Sequence, residues 1–230
     1  MRHLVLFDID GTILRSSGAG RAAMETALSH TFGTPGDASI RYDGKTDKQI
    51  VRESMRHAGF TDASIDAGMD DVIARYVAGL PGALGDPTRG VALFPGVAEL
   101  IAAVHARDDC TLGLLTGNVQ EGARLKLESV GLDFDMFRVN AFGSDSEDRG
   151  QLPSVAHRRM QEMFGVTLRG ADVVVIGDTP ADIACGRELG ARAIAVATGS
   201  YSVADLEAHR PHAVFADLSD TPAVIAAITA

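Results

Sequence analysis

The stretch Leu4-Val5-Leu6-Phe7-Asp8-Ile9-Asp10-Gly11-Thr12 decides the fold. Its apolar run is short and continuous, which is typical of a strand buried on both faces of a parallel sheet. Asp8 and Asp10 stand at i and i+2, so both start on one face of the strand at its carboxyl end. Gly11 then permits a sharp turn. Because open α/β sheets bind ligands beyond the carboxyl ends of their strands, this stretch predicts an acidic site there.

Taken alone, the segment from Asp8 to Thr12 also fits a strand end followed by an Asx turn with no functional role. The rest of the chain has to distinguish this alternative from an acidic site. Two further apolar runs, at residues 111–115 and 172–176, also end in polar groups. The first reaches Thr116, and the second reaches Gly177-Asp178-Thr179-Pro180-Ala181-Asp182. Since the carboxyl ends of parallel strands share one edge of a sheet, these groups predict a cluster of carboxylates with a hydroxyl. Mg²⁺ prefers oxygen ligands of this kind.

Helices and strands alternate from residue 95 onward, with strands expected at 111–115, near 137–139, at 172–176, at 192–196 and near 213–215, and with the helix after residues 177–182 running to residue 189. This alternation is typical of a parallel sheet with helices on both faces. Between residues 15 and 90 only helical patterns occur, at 21–32, 47–58 and 64–80. The sequence therefore predicts an α/β fold with a Rossmann-like sheet and an inserted all-helical cap. Residues 1–14 and 91–230 would form the α/β catalytic core, and residues 15–90 would form the cap.

Composition narrows the class of protein. The chain has 230 residues, of which 46% are hydrophobic and 23% charged, and its formal net charge is −10. An acidic protein is a poor partner for nucleic acid or for a membrane surface, although a bound cation can still attract an anionic substrate. The two cysteines, Cys110 and Cys185, lack metal-ligand spacing and indicate a reducing compartment. We expect a cytoplasmic enzyme, either a monomer or a homodimer.

The ordered set of motifs resembles the haloacid dehalogenase-like superfamily of phosphohydrolases. Asp8-Ile9-Asp10-Gly11-Thr12 resembles the first motif, Thr116 the second, and the segment from Gly177 to Asp182 the fourth. The helical insertion resembles the cap of the phosphoglycolate phosphatase-like subgroup. This resemblance implies a Mg²⁺-dependent phosphomonoesterase that acts on a small phosphorylated metabolite, phosphoglycolate-like or a sugar phosphate, through an aspartyl-phosphate.

The resemblance also implies a role for each motif residue. Asp8 would be the nucleophile, and Asp10 would protonate the leaving oxygen and then activate water. Mg²⁺ would be held by Asp8, by the Asp10 carbonyl and by Asp178, with support from Asp182. Thr116 would hydrogen-bond the phosphoryl oxygens. Substrate contacts are also expected from Thr12, Gly117, Asn118, Lys45 and Thr46.

The third motif is where the chain departs from the family pattern. The family usually has a lysine where a helix begins after the third strand, but Lys45, Lys48 and Lys126 all lie elsewhere. Arg149 precedes the expected helix, and its guanidinium can bridge phosphate and carboxylate, so we predict that it is a catalytic residue. The alternative is an exposed loop arginine that balances the acids of residues 145–148.

Cap residues leave two interpretations open. Thr46, with Gln49 three residues later, fits a capping box at the start of a helix. Alternatively, the loop around Lys45 closes over the site and reads the leaving group of the substrate. Asn118, for its part, fits either a substrate contact or a helix cap.

Other functions share the same motifs. A β-phosphoglucomutase-like phosphotransferase would keep this core, and a phosphonate hydrolase would need a cap lysine such as Lys45 or Lys48. A receiver-like signalling module or a non-catalytic binding protein is the alternative from another class. The position of Asp8 on the first strand, the second acid Asp10 and the large insertion all disfavour it.

Overall fold

A computed structural model of the protein describes residues 3–230. The strands, in chain order, are β1 (His3–Phe7), β2 (Leu14–Arg15), β3 (Ala92–Leu93), β4 (Cys110–Thr116), β5 (Val139–Phe142), β6 (Val173–Gly177), β7 (Arg192–Val196) and β8 (Ala213–Phe215). Six of them form one parallel sheet in the order β5-β4-β1-β6-β7-β8, with β1 at its centre between β4 and β6. The predicted α/β fold with a parallel sheet is confirmed.

Helices after residue 96 cover both faces of this sheet, and the helices before it form an insertion. The helices are α1 (Ala19–Phe32), α2 (Asp47–His57), α3 (Asp62–Leu84), α4 (Val97–His105), α5 (Gln120–Ser129), α6 (Leu152–Phe164), α7 (Pro180–Cys185), α8 (Val203–Glu207) and α9 (Thr221–Thr229). Val5 and Phe7 of β1 join one apolar cluster with α4, α5 and α9, while Leu4 and Leu6 join another with α6. The period-2 alternation of a strand thus explains why the continuous apolar run of β1 is buried on both sides.

Several predicted boundaries were wrong. β5 begins at Val139, two residues later than expected, because a 3₁₀ turn (Phe134–Met136) occupies the chain before it. Helix α7 ends at Cys185 rather than near residue 189, since Gly186 lies against Ala191 and accepts a hydrogen bond from its amide at 2.9 Å. Helix α3 continues through Pro81 to Leu84.

The insertion consists of α1, α2 and α3, which share an apolar cluster that includes Met24, Met55 and Tyr76. Strands β2 and β3 pair antiparallel where the chain leaves and re-enters the α/β part. The division into a core and a cap at residues 15 and 90 remains a prediction, and residues 1 and 2 of that core lie outside the described residues. Within residues 3–230, no helix combines the length and the apolar character needed to cross a membrane.

Candidate active site

A cavity of about 490 Å³ lies between the carboxyl edge of the sheet and the helical insertion. The sheet side contributes the ends of β1, β4 and β6, and the insertion contributes α1, α3 and the loop before α2. Of the residues predicted from the sequence, this cavity is lined by Asp8, Asp10, Lys45, Thr116, Gly117, Asn118, Arg149 and Asp178. Thr12, Thr46 and Asp182 are buried behind this lining.

Three carboxylates crowd together at the floor of the cavity. Asp8, Asp178 and Asp182 are all buried, and one oxygen of each lies within 4.8 Å of the others. Burial raises the pKa of Asp8 to about 6; the charges of Asp182 and Asp10 add to the rise, and Arg149 opposes it. Burial likewise raises the pKa of Asp178 well above its usual value, with Asp182 and Asp8 contributing. Such a cluster of buried oxygen donors could bind a divalent metal ion.

Asp178 is held from two sides. The hydroxyl of Thr12 is fully buried and donates to Asp178 Oδ1 at 3.1 Å, so Thr12 supports this carboxylate instead of lining the cavity. On the other side, Gly199 approaches so closely that a Cβ there would collide with Asp178 Oδ2. Any larger residue at position 199 would therefore displace Asp178.

Arg149 is buried beside the acids, so the alternative of an exposed loop arginine was wrong. Its Nη2 lies 3.3 Å from Asp8 Oδ1 and is ion-paired with Asp182 Oδ1. The Nε of Arg149 is buried and has no hydrogen-bond partner among residues 3–230. A guanidinium that lines the cavity next to Asp8 is suited to bind an anion such as a phosphoryl group.

Asp182 has both carboxylate oxygens engaged. Oδ1 pairs with Arg149, and Oδ2 accepts hydrogen bonds from the amide and the hydroxyl of Thr179, at 3.0 and 2.6 Å. Thr179 and Asp182 thereby form a capping box at the start of α7. Asp182 thus holds Arg149 in place, and Asp8 and Asp178 are the acids of this cluster that could contact a metal ion directly.

Thr116 and Asn118 form a hydrogen-bonded pair at the end of β4. Thr116 Oγ1 accepts hydrogen bonds from the backbone N–H of Asn118 at 3.3 Å and from the side-chain Nδ2 of Asn118 at 2.8 Å. The hydroxyl proton of Thr116 is therefore free to donate. Asn118 Nδ2 also donates to Asp10 Oδ2 at 2.9 Å. The helix-cap alternative for Asn118 was wrong, because Val119 is the N-cap residue of α5.

Lys126 is the residue that sequence reasoning missed. It is only 3% exposed, and its ammonium donates to Asp10 Oδ2 and to Asn118 Oδ1, each at 2.5 Å. Burial alone would raise the pKa of Asp10, but Lys126 and the hydrogen bonds outweigh burial and lower it. A signal was present in the sequence, since Lys126 stands four residues after Gly122 and next to Leu127, on the buried face of α5.

The loop before α2 is docked onto the core. Thr46 is fully buried, and its hydroxyl caps α2 by accepting from the Gln49 amide at 3.1 Å. The same hydroxyl donates to the Glu147 carbonyl at 2.8 Å, so Thr46 ties the loop to the core. The ammonium of Lys45 pairs with Glu53 of α2.

Asp47, the first residue of α2, makes two further contacts with the core. Its amide donates to the Gly117 carbonyl at 2.8 Å, and its Oδ2 accepts from the Val119 amide at 2.8 Å. Gly117 also lies against the Lys45 carbonyl, where a Cβ would collide. Burial raises the pKa of Asp47 to about 6, opposed mainly by Lys126.

Fold and site together define an α/β enzyme that carries an acidic site at the carboxyl edge of a parallel sheet. The chain belongs to the haloacid dehalogenase-like hydrolases, whose family model matches residues 5–187. A phosphoglycolate phosphatase from Rhodospirillum rubrum is 28% identical over 227 residues, covering 96% of this chain and 90% of the relative. One from Synechococcus elongatus is 29% identical over 204 residues, covering 85% and 84%.

Among solved structures, a hydrolase from Pseudomonas syringae superposes with a TM-score of 0.72 at 20% identity and covers 99% of each chain. At 20% identity, this structural similarity supports a shared fold and says nothing about function. The resemblance predicted from the motifs is confirmed by the family match, and the two relatives support a phosphatase.

Proposed function

We propose that the protein is a Mg²⁺-dependent phosphomonoesterase that hydrolyses a small phosphorylated metabolite through an aspartyl-phosphate at Asp8. The observation that carries the proposal is the position of Asp8. It is buried on the cavity floor, 3.3 Å from the Arg149 guanidinium and within 4.8 Å of Asp178 and Asp182. A carboxylate that lies next to a fixed cation and can share a metal ion with Asp178 is suited to nucleophilic attack on phosphorus.

The chain's own residues supply most of the chemistry. A carboxylate oxygen of Asp8 attacks phosphorus, the bond from phosphorus to the leaving oxygen breaks, and that oxygen takes the proton that Asp10 carries in its acid form, which leaves Asp10 as a carboxylate. Asp10 then takes a proton from the water molecule that hydrolyses the aspartyl-phosphate. Arg149 stabilises the developing negative charge, and the free hydroxyl proton of Thr116 is available to a phosphoryl oxygen.

The acids fit a divalent cation. Asp8 and Asp178 each offer a carboxylate oxygen to such an ion. Burial raises the pKa of both carboxylates, which indicates that the site lacks positive charge. Hard oxygen ligands and a partly open cavity suit Mg²⁺, which keeps several of its waters. When bound, Mg²⁺ would neutralise charge on the transferring phosphoryl group and help to orient it.

The size of the cavity limits the substrate. A volume of about 490 Å³ is in the range of small-molecule sites, so the cavity suits a small metabolite. The two relatives are named for phosphoglycolate, which is a small phosphorylated acid. We propose phosphoglycolate or a similarly small phosphate ester as the substrate class.

The test is phosphate release from a panel of small phosphomonoesters, with Mg²⁺ and with a chelator, by the unsubstituted protein and by Asp8→Asn. Metal-dependent release that Asp8→Asn abolishes supports the proposal. Equal release by both proteins contradicts the role of Asp8. Transfer of the phosphoryl group to a second sugar hydroxyl, in place of release to water, favours the phosphotransferase alternative.

A further inference from the structure

We propose that Lys126 is a positioning residue that holds the carboxylate of Asp10 for its role as the base that activates water. The inference rests on the proposed function, because it concerns the second half of that reaction. Lys126 belongs to none of the motifs, and the role of the third motif's cation is already filled by Arg149.

Among residues 3–230, every hydrogen bond to the Asp10 side chain is one that the carboxylate accepts. Ser16 Oγ lies 3.1 Å from Oδ1, while Asn118 Nδ2 and Lys126 Nζ lie 2.9 and 2.5 Å from Oδ2. An ionised carboxylate is a pure acceptor, so this set of donors matches the form that can take a proton from water. Two donors fix Oδ2, and Oδ1 shares only the weaker contact with a hydroxyl.

Asn118 connects Lys126 to the phosphoryl site. Its Oδ1 accepts from Lys126, and its Nδ2 donates both to Asp10 and to Thr116 Oγ1. Lys126 therefore determines the orientation of the amide as well as that of the carboxylate. If the ammonium is removed, the side-chain amide of Asn118 can rotate, and Oδ2 of Asp10 is no longer held differently from Oδ1.

The helical insertion shields the ammonium of Lys126 from water. A Cβ at Gly20 of α1 would lie 3.4 Å from Lys126 Nζ and 3.8 Å from the hydroxyl of Tyr76, a residue of α3. A lysine buried in this way is unfavourable unless it is paired. Its carboxylate partner, Asp10, still has 38% of its side chain exposed toward the cavity, so the cation is hidden while the carboxylate can meet substrate and water.

This role predicts which step of the reaction depends on Lys126. Attack of Asp8 on an ester with a good leaving group needs no proton from Asp10, whereas hydrolysis of the aspartyl-phosphate needs Asp10 as a base. Removing the ammonium should therefore slow the second step and spare the first. In that step Asp10 accepts one proton from water, the hydroxyl oxygen attacks phosphorus, and the bond to Asp8 breaks. Lys126 keeps its protons throughout.

The experiment is stopped-flow hydrolysis of p-nitrophenyl phosphate with Mg²⁺ by the unsubstituted protein, Lys126→Met and Arg124→Met. Arg124 is the matched control, because it is a cation on the same helix that pairs with Glu128 and Asp135 outside the cavity. For Lys126→Met we expect kcat to fall about 10- to 100-fold while kcat/KM changes by less than about 3-fold. A burst of nitrophenolate near one equivalent per protein should precede the slow phase, and Arg124→Met should match the unsubstituted protein.

If kcat and kcat/KM of Lys126→Met fall in parallel and no burst appears, Lys126 has only a structural role and the inference is overturned. An unchanged kcat would overturn it as well. If circular dichroism shows that Lys126→Met is unfolded, Asn118→Ala decides, since it removes a donor to Asp10 and an acceptor of Lys126. The same burst is then expected, and its absence counts against the inference. If the unsubstituted protein hydrolyses no ester in an Asp8-dependent way, the proposed function has failed, and the inference falls with it.

Discussion

Replacement of Arg149 by methionine tests both the architecture and the chemistry of the site. Methionine fills much of the same volume without charge, so the variant leaves Asp8 and Asp182 buried without their cation. Arg149→Lys is the matched control, because lysine keeps the charge and loses the planar fork of donors.

The size of the effect follows from the geometry. At the 3.3 Å that separates Arg149 Nη2 from Asp8 Oδ1, the attraction between unit charges is about 5 kcal/mol at an effective dielectric constant near 20. Burying the charges offsets part of this attraction, and removing one partner from a buried pair typically costs about 3–5 kcal/mol. We expect Arg149→Met to lose that much free energy of unfolding when metal is absent. Loss of the cation at phosphorus should also lower kcat about 10²- to 10³-fold.

Urea unfolding in the presence of a chelator, followed by circular dichroism, measures the loss of free energy of unfolding. Phosphate release measures the fall of kcat. Added Mg²⁺ should recover part of the lost stability in Arg149→Met, because the ion would bind the acids that the arginine no longer neutralises. Arg149→Lys should lie between the two proteins in both assays. An Arg149→Met protein as stable as the unsubstituted one, with kcat within about 3-fold, would refute the reasoning.

Three further substitutions have defined outcomes. Burial raises the pKa of Asp47 to about 6 from its usual value near 3.8, so the stability it contributes is complete below pH 4 and is lost as the pH rises through 6. Urea unfolding should therefore show Asp47→Asn as stable as the unsubstituted protein near pH 4 but about 3 kcal/mol more stable near pH 7; equal differences at the two pH values would contradict this. Gly199→Ala should displace Asp178 and raise the Mg²⁺ concentration for half-maximal activity about 10- to 100-fold. Gly79→Ala is the control, because Gly79 has open space around it and its replacement should leave that concentration unchanged. The same dependence of activity on Mg²⁺ in both variants would count against the metal assignment. Thr46→Val removes a helix cap and a bond to the core, and thermal or urea unfolding should register a loss of about 1–2 kcal/mol, which Thr46→Ser should restore.

The sequence was most informative where a local pattern determines the structure. The continuous apolar runs predicted β1, β4 and β6, and the acids that follow them meet at one edge because parallel strands share a direction. β7 and β8 occupy the predicted positions for the same reason. The order of the motifs also predicted a role for Arg149. Its burial against Asp8 is a contact between distant segments and could not be deduced from its acidic neighbours.

Contacts between distant segments could not be predicted in the same way. Lys126 is 116 residues from Asp10 in the chain, and nothing local distinguishes it from a lysine on a solvated helix face except its place on an apolar stripe. Thr46 was considered as a cap and as a substrate contact, and its bond to the Glu147 carbonyl, 101 residues away, is visible only in the folded chain. The short strands β2 and β3 have too few residues to show a period.

The most direct test of the proposed mechanism is to identify the residue that becomes phosphorylated. The protein would be mixed with its best phosphate ester and Mg²⁺, quenched in acid within the first turnover, digested and examined by mass spectrometry. We predict one added phosphoryl group on the peptide that contains Asp8, and none on that peptide from Asp8→Asn. A phosphoryl group on another residue, or rapid turnover with no phosphorylated peptide at any time, would contradict an aspartyl-phosphate at Asp8.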